Sequence, residues 1–388
     1  MKRMTLLVML ALLLLLPCMA LGEMAEDITN ECVINNQTYN SVTPDKMRDN
    51  SYRSIYEGSA VTISAPAGKT IGSVLLKWRT ISPPEVIIKT QQGSKWIEVK
   101  RDGPNYAAQY ITLDEPLASL RISPKSGSMQ ISEITVLTEG EAPDYVQVWK
   151  DAPEKVDMML FSTHPDDEVL WFGGLLPLYE GELGKDVLVV NAVYSDYVRR
   201  LELLDALWTC GVDIYPVLLG YPNQSNSMNQ IMKVWRQKGR DPENRTVELL
   251  RQYKPDVVVL HDIDGEYGHT AHVTFSWLGR QAVERAGNAA EHAASAKKWG
   301  VWEVPKTYIH LYSQNQIKMD WSQPLSAFDG KTGIEVATIA LDCHISQLNI
   351  GWRMDRAHEY DNTLFGLWRT NVGPDVEKND MFENIPEN

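Results

Sequence analysis

The sequence predicts an α/β fold with two domains: a parallel sheet with helices on both faces, preceded by a smaller all-β domain. The composition changes near residue 150, which divides the chain. Before that point, short apolar runs alternate with turn residues, as in an all-β domain. After it, apolar strand candidates are separated by longer stretches of helical periodicity, which is typical of a parallel sheet. We expect the linker within 139–153, where Pro143 and Pro153 stand among acidic residues.

Seven short apolar runs predict a β-sandwich over residues 28–142. Each run has the length and the residue types of a strand, and 91–94 has the composition of a hairpin connection. Many short strands joined by regular turns are typical of such sandwiches. The runs are 61–64, 73–78, 85–89, 95–99, 110–113, 119–122 and 131–136.

Alternating strands and helices over 154–388 predict a Rossmann-like sheet. Because parallel strands need crossover connections, the intervening helices should cover both faces of the sheet. The strand candidates are 156–162, 186–193, 214–218 and 256–261. The helix candidates are 168–182, 197–210, 227–238, 246–253 and 270–286.

Composition and charge exclude some classes of function. A hydrophobic content of 44% and a charged content of 23% over 388 residues are those of a globular protein. The formal net charge of −14 argues against nucleic acid or an anionic membrane as the main partner. The sequence has four cysteines, and removal of the N-terminal apolar stretch with Cys18 would leave Cys32, Cys210 and Cys343. Three are too few and odd in number for a disulfide framework, although one bridge among them stays open.

Residues 1–22 have the features of a signal peptide. Lys2 and Arg3 form a basic start, 5–16 is aliphatic, and 20–22 supplies small residues at the spacing that signal peptidase requires. The alternative is an uncleaved membrane anchor, but the apolar core is short for a span. No later segment is apolar enough to cross a bilayer. We therefore expect a secreted or extracytoplasmic protein, either free or associated with the cell surface.

A cluster of titratable residues follows the first predicted strand of the second domain. His164, Asp166, Asp167 and Glu168 come directly after the apolar run 156–161. Open α/β sheets bind ligands just beyond the carboxyl ends of their strands. Packed carboxylates repel one another unless a positive group such as a metal ion neutralises them, and His with carboxylate is a ligand set for divalent transition metals. The alternative is a solvated acidic helix start.

A second cluster follows the strand candidate 256–261, which should end at the same edge of the sheet. It contains His269 and His272, three residues apart at the start of a predicted helix. One of these histidines, with His164 and Asp167, would make a facial His-Asp-His set that leaves coordination positions open, as a catalytic zinc site requires. The alternative for a His-x-x-His pair is a surface or capping role.

These segments resemble motifs of the PIG-L/LmbE-like zinc de-N-acetylases. Residues 164–168 match the family's His-Pro-Asp-Asp-Glu motif, 267–272 are similar to its Gly-His-x-x-His motif, and 199–202 are similar to its Arg-x-x-Glu helix. The resemblance covers about 156–283. One departure is Thr270-Ala271, where many bacterial members have Pro-Asp. Support for His269 must then come from elsewhere, and Asp262 or Asp264 could supply it.

The resemblance implies a metal site and a general base. His164, Asp167 and His272 would be the ligands of Zn²⁺, although the same set also binds Fe²⁺ or another divalent metal. Asp166 would be the base that takes a proton from the attacking water. Its alternative role is a helix cap.

The resemblance also implies roles for three further residues. His269 would stabilise the oxyanion or protonate the departing amine. Tyr267 would be a mobile residue that polarises the carbonyl, or else a packed loop tyrosine. Arg199 would contact the polar substrate, or else be a surface arginine of its helix.

The function expected from this resemblance is that of a zinc-dependent hydrolase of linear amide bonds, which removes the N-acetyl group from an N-acetylated amino sugar or glycoconjugate. The alternatives are a non-catalytic secreted glycan-binding protein and an amidase that acts on a larger acyl group or a thiol conjugate.

The N-terminal sandwich resembles jelly-roll modules of the discoidin-like or galactose-binding-like kind. Such modules often bind glycans through aromatic residues, and the alternative is that these residues form the core. The aromatic candidates are Trp78, Trp96, Tyr106 and Tyr110.

Overall fold

A computed structural model of the protein describes residues 23–38, 42–194, 196–224, 226–237, 241–351, 354 and 359–386. The predicted signal peptide lies outside these residues. Among the residues that are described, no helix has the length and apolar character needed to cross a membrane. Cys32, Cys210 and Cys343 are all free thiols, so the bridge left open among them does not form.

Nine antiparallel strands form the N-terminal sheet. They are β1 (Val33–Thr38), β2 (Tyr56–Ser64), β3 (Ile71–Trp78), β4 (Val86–Gln92), β5 (Lys95–Glu98), β6 (Arg101–Asp102), β7 (Ala108–Leu117), β8 (Ser119–Pro124) and β9 (Met129–Leu137). A short 3-10 helix, Pro44–Met47, precedes β2. The order is β5-β4-β8-β2-β9-β3-β7-β6, and β1 pairs with β2.

The N-terminal sheet curls around one core instead of forming two separate sheets. Ile88 of β4 and Ile111 of β7 lie far apart in the strand order, yet both belong to the same buried cluster. The strands of the expected sandwich are joined into one ladder through β2, which pairs with β9 at Tyr56–Gly58 and with β8 at Val61–Ser64. Trp78 is fully buried in this core, and Tyr106 stacks on Tyr215 of the second domain.

The second sheet has seven strands, of which five are parallel. The strands are β10 (Met158–Ser162), β11 (Val187–Tyr194), β12 (Val217–Pro222), β13 (Val257–Leu260), β14 (Lys306–His310), β15 (Gln316–Lys318) and β16 (Leu364–Thr370). Their order is β12-β11-β10-β13-β14-β16-β15, and β15 and β16 are antiparallel additions at one edge. The sheet is therefore mixed, and the expectation of a wholly parallel sheet is corrected.

Helices cover both faces of this sheet because the strands are apolar on both sides. Met158 and Leu160 of β10 pack into one core, whereas Met159 and Phe161 pack into the other. The helices are α1 (Asp167–Leu170), α2 (Tyr197–Thr209), α3 (Met228–Arg236), α4 (Pro242–Tyr253), α5 (Thr270–Ala286), α6 (Ala293–Trp299) and α7 (Gly333–Asp342). Shorter 3-10 or π turns are Pro177–Glu182, Glu266–Gly268, Ser326–Phe328 and Leu348–Ile350.

The predicted helix 168–182 is interrupted. Helix α1 has four residues, and the chain then turns at Gly173, which has a φ of 55°. A side chain at Gly173 would collide with the Trp321 ring, because an added Cβ would lie 2.6 Å from Trp321 Nε1. Close packing against Trp321 therefore requires glycine here and ends the helix.

Candidate metal centre and active site

The two predicted clusters meet at one edge of the parallel sheet. Strands β10 and β13 are parallel neighbours, with Met158 opposite Val257. The segments that follow them therefore emerge side by side. His164 follows β10, and His272 lies in the first turn of α5, which comes shortly after β13.

Three ligand atoms converge at this edge. His164 Nδ1 lies 3.1 Å from His272 Nε2 and 3.2 Å from Asp167 Oδ2, and His272 Nε2 lies 3.2 Å from the same carboxylate oxygen. All three side chains are buried. His269 and His261 extend the group, because each has a ligand atom within 4.8 Å of others in it.

Hydrogen bonds on the outer side of each ligand fix which atom faces the centre. Trp171 Nε1 donates to Asp167 Oδ1 at 2.7 Å, which leaves Oδ2 facing inward. His164 Nε2 lies 3.3 Å from Asn223 Oδ1, so it carries the proton and Nδ1 presents a lone pair. His261 is different, since its Nε2 accepts from the backbone N–H of Thr163 at 3.0 Å and is not available as a ligand.

Glu266 is a buried carboxylate that holds three histidines. Its Oε2 lies 2.6 Å from His272 Nδ1 and 2.8 Å from His261 Nδ1, and its Oε1 lies 2.7 Å from His310 Nδ1. The bond to His272 places the proton on Nδ1 and the lone pair on Nε2, as in the carboxylate–histidine pairs around protein-bound metals. Glu266 was not predicted as a site residue, because no motif in the sequence marks it.

The donor set fits a divalent cation. Burial disfavours a charged His272, but Asp167 and Glu266 outweigh burial and raise the pKa of His272 to about 10. The site therefore stabilises positive charge at this place. Two imidazole nitrogens and one carboxylate oxygen are ligands that Zn²⁺ and Fe²⁺ accept, and three protein ligands leave positions open.

Asp166 lies beside the three ligands in a strained backbone conformation. Its φ of 113° is rare for a residue other than glycine, and its N–H donates to Glu168 Oε2 at 2.9 Å. Burial, followed by the charge of Asp167, raises the pKa of Asp166 to about 7, while Arg199 opposes the shift. A carboxyl group with this pKa can exchange a proton near neutral pH.

Arg199 contacts the segment that carries Asp166. Its guanidinium donates to the carbonyl of Pro165 and to Asp166 Oδ1, the latter at 3.0 Å. The side chain is mostly buried. The structure thus excludes the surface-arginine alternative and places Arg199 against the candidate base.

His269 and Tyr267 form the other side of the site. The His269 ring centroid lies 4.7 Å from those of both His164 and His272. Its Nδ1 accepts from the N–H of Ala271 at 3.2 Å, which leaves Nε2 as the donor. Tyr267 has a φ of 47° and is 41% exposed, with its ring centroid 5.4 Å from that of His269.

The support expected for His269 from Asp262 or Asp264 is not found. Within the described part of the chain, neither carboxylate bonds to His269; Asp264 N–H donates to Asp262 Oδ1, and Asp262 N–H donates to Glu266. The N–H of Ala271, at the start of α5, orients the imidazole instead.

These side chains line a small cavity of about 120 Å³. A water molecule occupies about 30 Å³ in the liquid, so the space suits a few waters or one small acyl group. The lining also includes Leu170, Trp171, Asn223 and Gln347, none of which was assigned a role in the site from the sequence. No sequence motif marks Asn223 and Gln347, since both come from loops far from the motifs along the chain.

The geometry defines an α/β protein with a buried His/Asp site at the carboxyl edge of its parallel strands. Residues 159–283 match the family model described as PIG-L: GlcNAc-PI de-N-acetylase. The chain is 31% identical over 187 residues to 1D-myo-inositol 2-acetamido-2-deoxy-alpha-D-glucopyranoside deacetylase 2 of Saccharopolyspora erythraea, with 41% of this chain and 67% of the relative covered. The chain therefore belongs to the PIG-L family.

Other similarities cover less. A deacetylase of the same name from Mycobacterium sp. (strain KMS) is 30% identical over 190 residues, with 42% of this chain and 57% of the relative covered. The chain spans little more than half the length of several curated relatives it matches. The structure of N,N'-diacetylchitobiose deacetylase from Pyrococcus horikoshii is 19% identical, with a TM-score of 0.37, 50% of this chain and 71% of that chain covered.

Proposed function

We propose that this protein is a metal-dependent N-deacetylase that hydrolyses the acetamide of an N-acetylated amino sugar or glycoconjugate. The observation that supports this most strongly is the convergence of His164 Nδ1, Asp167 Oδ2 and His272 Nε2 next to Asp166 in one cavity. The names of the family relatives, which are deacetylases of 2-acetamido sugars, support the substrate class.

In this proposal His164, Asp167 and His272 hold one divalent cation, with Zn²⁺ the first choice and Fe²⁺ the second. When bound, such a cation polarises the amide carbonyl and lowers the pKa of water in the site. The three ligands need no rearrangement to bind it, because outer hydrogen bonds already orient two of them through Trp171 and Glu266.

Asp166 moves the proton, and His269 stabilises the oxyanion. Asp166 accepts a proton from the water that attacks the amide carbon, and its pKa of about 7 matches that task. The C–N bond then breaks as Asp166 returns that proton to the departing nitrogen. Burial lowers the pKa of His269 to about 4, so its imidazole is neutral and its Nε2–H donates a hydrogen bond to the oxyanion. The products are acetate and a free amine, and the only co-reactant is water.

The size of the cavity is compatible with the proposed substrate. A cavity of about 120 Å³ accommodates an acetyl group next to the three ligands, and comparison of acetyl with longer acyl substrates separates deacetylation from the amidase alternative. The complete set of His164, Asp166, Asp167 and His272 argues against a non-catalytic glycan-binding protein. Tyr267 is 41% exposed at the site, where it can contact the sugar beyond the acetamide.

The test is acetate release by the purified full chain from N-acetylglucosamine, N,N'-diacetylchitobiose and an N-acetylglucosaminyl-inositol. We expect activity on at least one, loss of activity after metal chelation, and recovery with Zn²⁺ or Fe²⁺. The variant Asp166→Asn should be inactive, and the control Asp264→Asn, at an exposed acid near the site, should retain activity. Metal-loaded protein that releases no acetate from any of these substrates would contradict the proposal.

We also propose that the protein is exported. The basic and apolar residues of 1–22 support this. Expression in a secreting host should release mature protein whose sequenced N-terminus lies near Glu23; retention of the intact N-terminus in the cytoplasm would contradict it.

A further inference from the structure

Helix α2 connects the active site with the N-terminal sheet. On one side, Arg199 donates to Asp166 Oδ1 at 3.0 Å. On the same side, Glu202 accepts from the N–H and the hydroxyl of Ser346, at 2.9 and 2.5 Å. Ser346 directly precedes Gln347, which lines the cavity. The position of α2 therefore sets two walls of the site.

The N-terminal sheet holds the same helix through Asp205. This carboxylate accepts from Lys77 Nζ at 2.6 Å, from Gln147 Nε2 at 2.5 Å and from the Tyr52 hydroxyl. Lys77 lies on β3, and Tyr52 lies in the segment between the 3-10 helix Pro44–Met47 and β2. The Lys77 and Asp205 side chains are only 16% and 23% exposed, so these bonds are charge-assisted and partly shielded from water.

Arg200 provides a second attachment. Its side chain is buried at 4% exposure, and its guanidinium donates to the backbone carbonyls of Trp78 and Arg79. Trp78 is fully buried in the N-terminal core, so these carbonyls are fixed in place. A buried guanidinium that lost these acceptors would be costly, which ties α2 to the end of β3.

We propose that the N-terminal sheet is a positioning part of the hydrolytic site and not a detachable binding module. By holding Asp205 and Arg200 it fixes α2, and α2 fixes Arg199 against Asp166 and Gln347 at the cavity. Lys77, more than 80 residues before the first site motif, is a positioning residue for the reaction. The expected change in kcat rests on the proposed function, whereas the expected change in the mobility of α2 does not.

The experiment uses the full chain and the double variant Lys77→Met/Tyr52→Phe, which removes two of the three partners of Asp205 without changing α2. We expect kcat for acetate release to fall about tenfold with KM nearly unchanged, since a misplacement of ~1 Å can cost ~100-fold. Hydrogen–deuterium exchange should become faster in peptides that cover 197–209. The matched control is Tyr106→Leu, because Tyr106 stacks on Tyr215 across the same interface at 3.9 Å and donates its hydroxyl to Asp151, and both of these partners lie outside α2.

A second pair of variants separates positioning from general weakening. Arg200→Met should reproduce the fall in kcat and the faster exchange, and Arg200→Lys, which keeps a donor for the two carbonyls, should restore part of both. Unchanged exchange over 197–209 in the Lys77→Met/Tyr52→Phe variant would overturn the proposal, as would equal effects from Tyr106→Leu. If the native chain proves inactive on every N-acetylated sugar, the proposed function fails and the exchange measurement alone decides this inference.

Discussion

Two buried polar clusters near the second sheet each contain an aspartate, but they differ in how their polar atoms are paired. The site cluster is His164, Asp167 and His272, and the clasp cluster is Lys306, Tyr308 and Asp375. In the clasp cluster donors meet acceptors: Lys306 Nζ bonds to Asp375 and to the carbonyl of Glu383, and the Tyr308 hydroxyl donates to Asp375 Oδ2 at 2.6 Å.

In the site cluster three acceptor atoms face one another across 3.1–3.2 Å. Both clusters are buried, so burial of charge does not distinguish a functional site from a structural one. What distinguishes them is that three potential ligand atoms of the site cluster converge on one point, whereas each donor of the clasp cluster meets its own acceptor. We therefore expect the site cluster to be needed for activity and to add little to the free energy of unfolding. We expect the clasp cluster to add to the free energy of unfolding and not to be needed for activity.

The largest effect is expected from His272→Ala. Loss of one ligand should lower kcat/KM for acetate release by about 1000-fold or more, as for residues that act as a catalytic unit. It should also abolish Zn²⁺ binding measured by elemental analysis. The control His292→Ala, a histidine at the start of α6 remote from the site, should leave both unchanged. If His272→Ala still bound one Zn²⁺ per chain, the proposal that the site cluster is a metal site would be contradicted.

The second prediction concerns the clasp cluster. Lys306→Met leaves Asp375 buried without its charged partner, which should lower the free energy of unfolding by about 3–5 kcal/mol. Chemical denaturation measures this, while kcat/KM of the folded protein should stay within about twofold. The control is Lys125→Met, at an ion pair whose side chains are 62% and 60% exposed, where we expect less than ~1 kcal/mol. A stability change as small as that of the control would show that the clasp is not structural.

The third prediction tests how the site cluster is oriented. Glu266→Gln should weaken Zn²⁺ affinity about 10–100-fold, because outer-shell partners of metal ligands have effects of that size. Competition with a chelating dye measures the affinity. Glu284→Gln, at an exposed glutamate of α5, is the control. Equal affinities for the two variants would mean that the bond from His272 Nδ1 to Glu266 does not prepare the ligand.

The last prediction is a pH dependence at Glu180, a buried carboxyl group outside both clusters. Burial raises the pKa of Glu180 from 4.5 to about 8, although its oxygens accept from the N–H groups of Val187 and Asp213. Its contribution to stability is thus complete below pH 4.5 and is lost as the pH rises towards 8.

In the variant Glu180→Gln the free energy of unfolding should fall less steeply between pH 4.5 and 8. The slopes of the two proteins should differ by at most about 1.4 kcal/mol per pH unit, the contribution of one ionisable group. Denaturation at pH 5, 6, 7 and 8 with a chelator present measures the difference. Parallel curves for the two proteins would contradict it.

The sequence predicted the parts of the site that follow from strand order. His164 and His272 meet because parallel strands β10 and β13 end at the same edge, and periodicity is enough to recognise those strands. Glu266 was missed because its role depends on His261, His272 and His310, which only the folded chain brings to one carboxylate. Asn223 was missed for the same reason.

For the fold, the sequence predicted the positions of most strands but not how they pair. Strand positions in the N-terminal domain follow from apolar runs, but whether β2 pairs with both β8 and β9 depends on edge hydrogen bonds that periodicity does not encode. The antiparallel strands β15 and β16 were missed as well. Strand β15 has only three residues, too few for alternation to be recognised.

The most direct test of the account is anomalous X-ray diffraction at the zinc edge from crystals of the full chain grown with Zn²⁺. The account predicts one strong peak at about 2.0–2.2 Å from His164 Nδ1, His272 Nε2 and Asp167 Oδ2. A protein saturated with Zn²⁺ that shows no peak among these three atoms would contradict it.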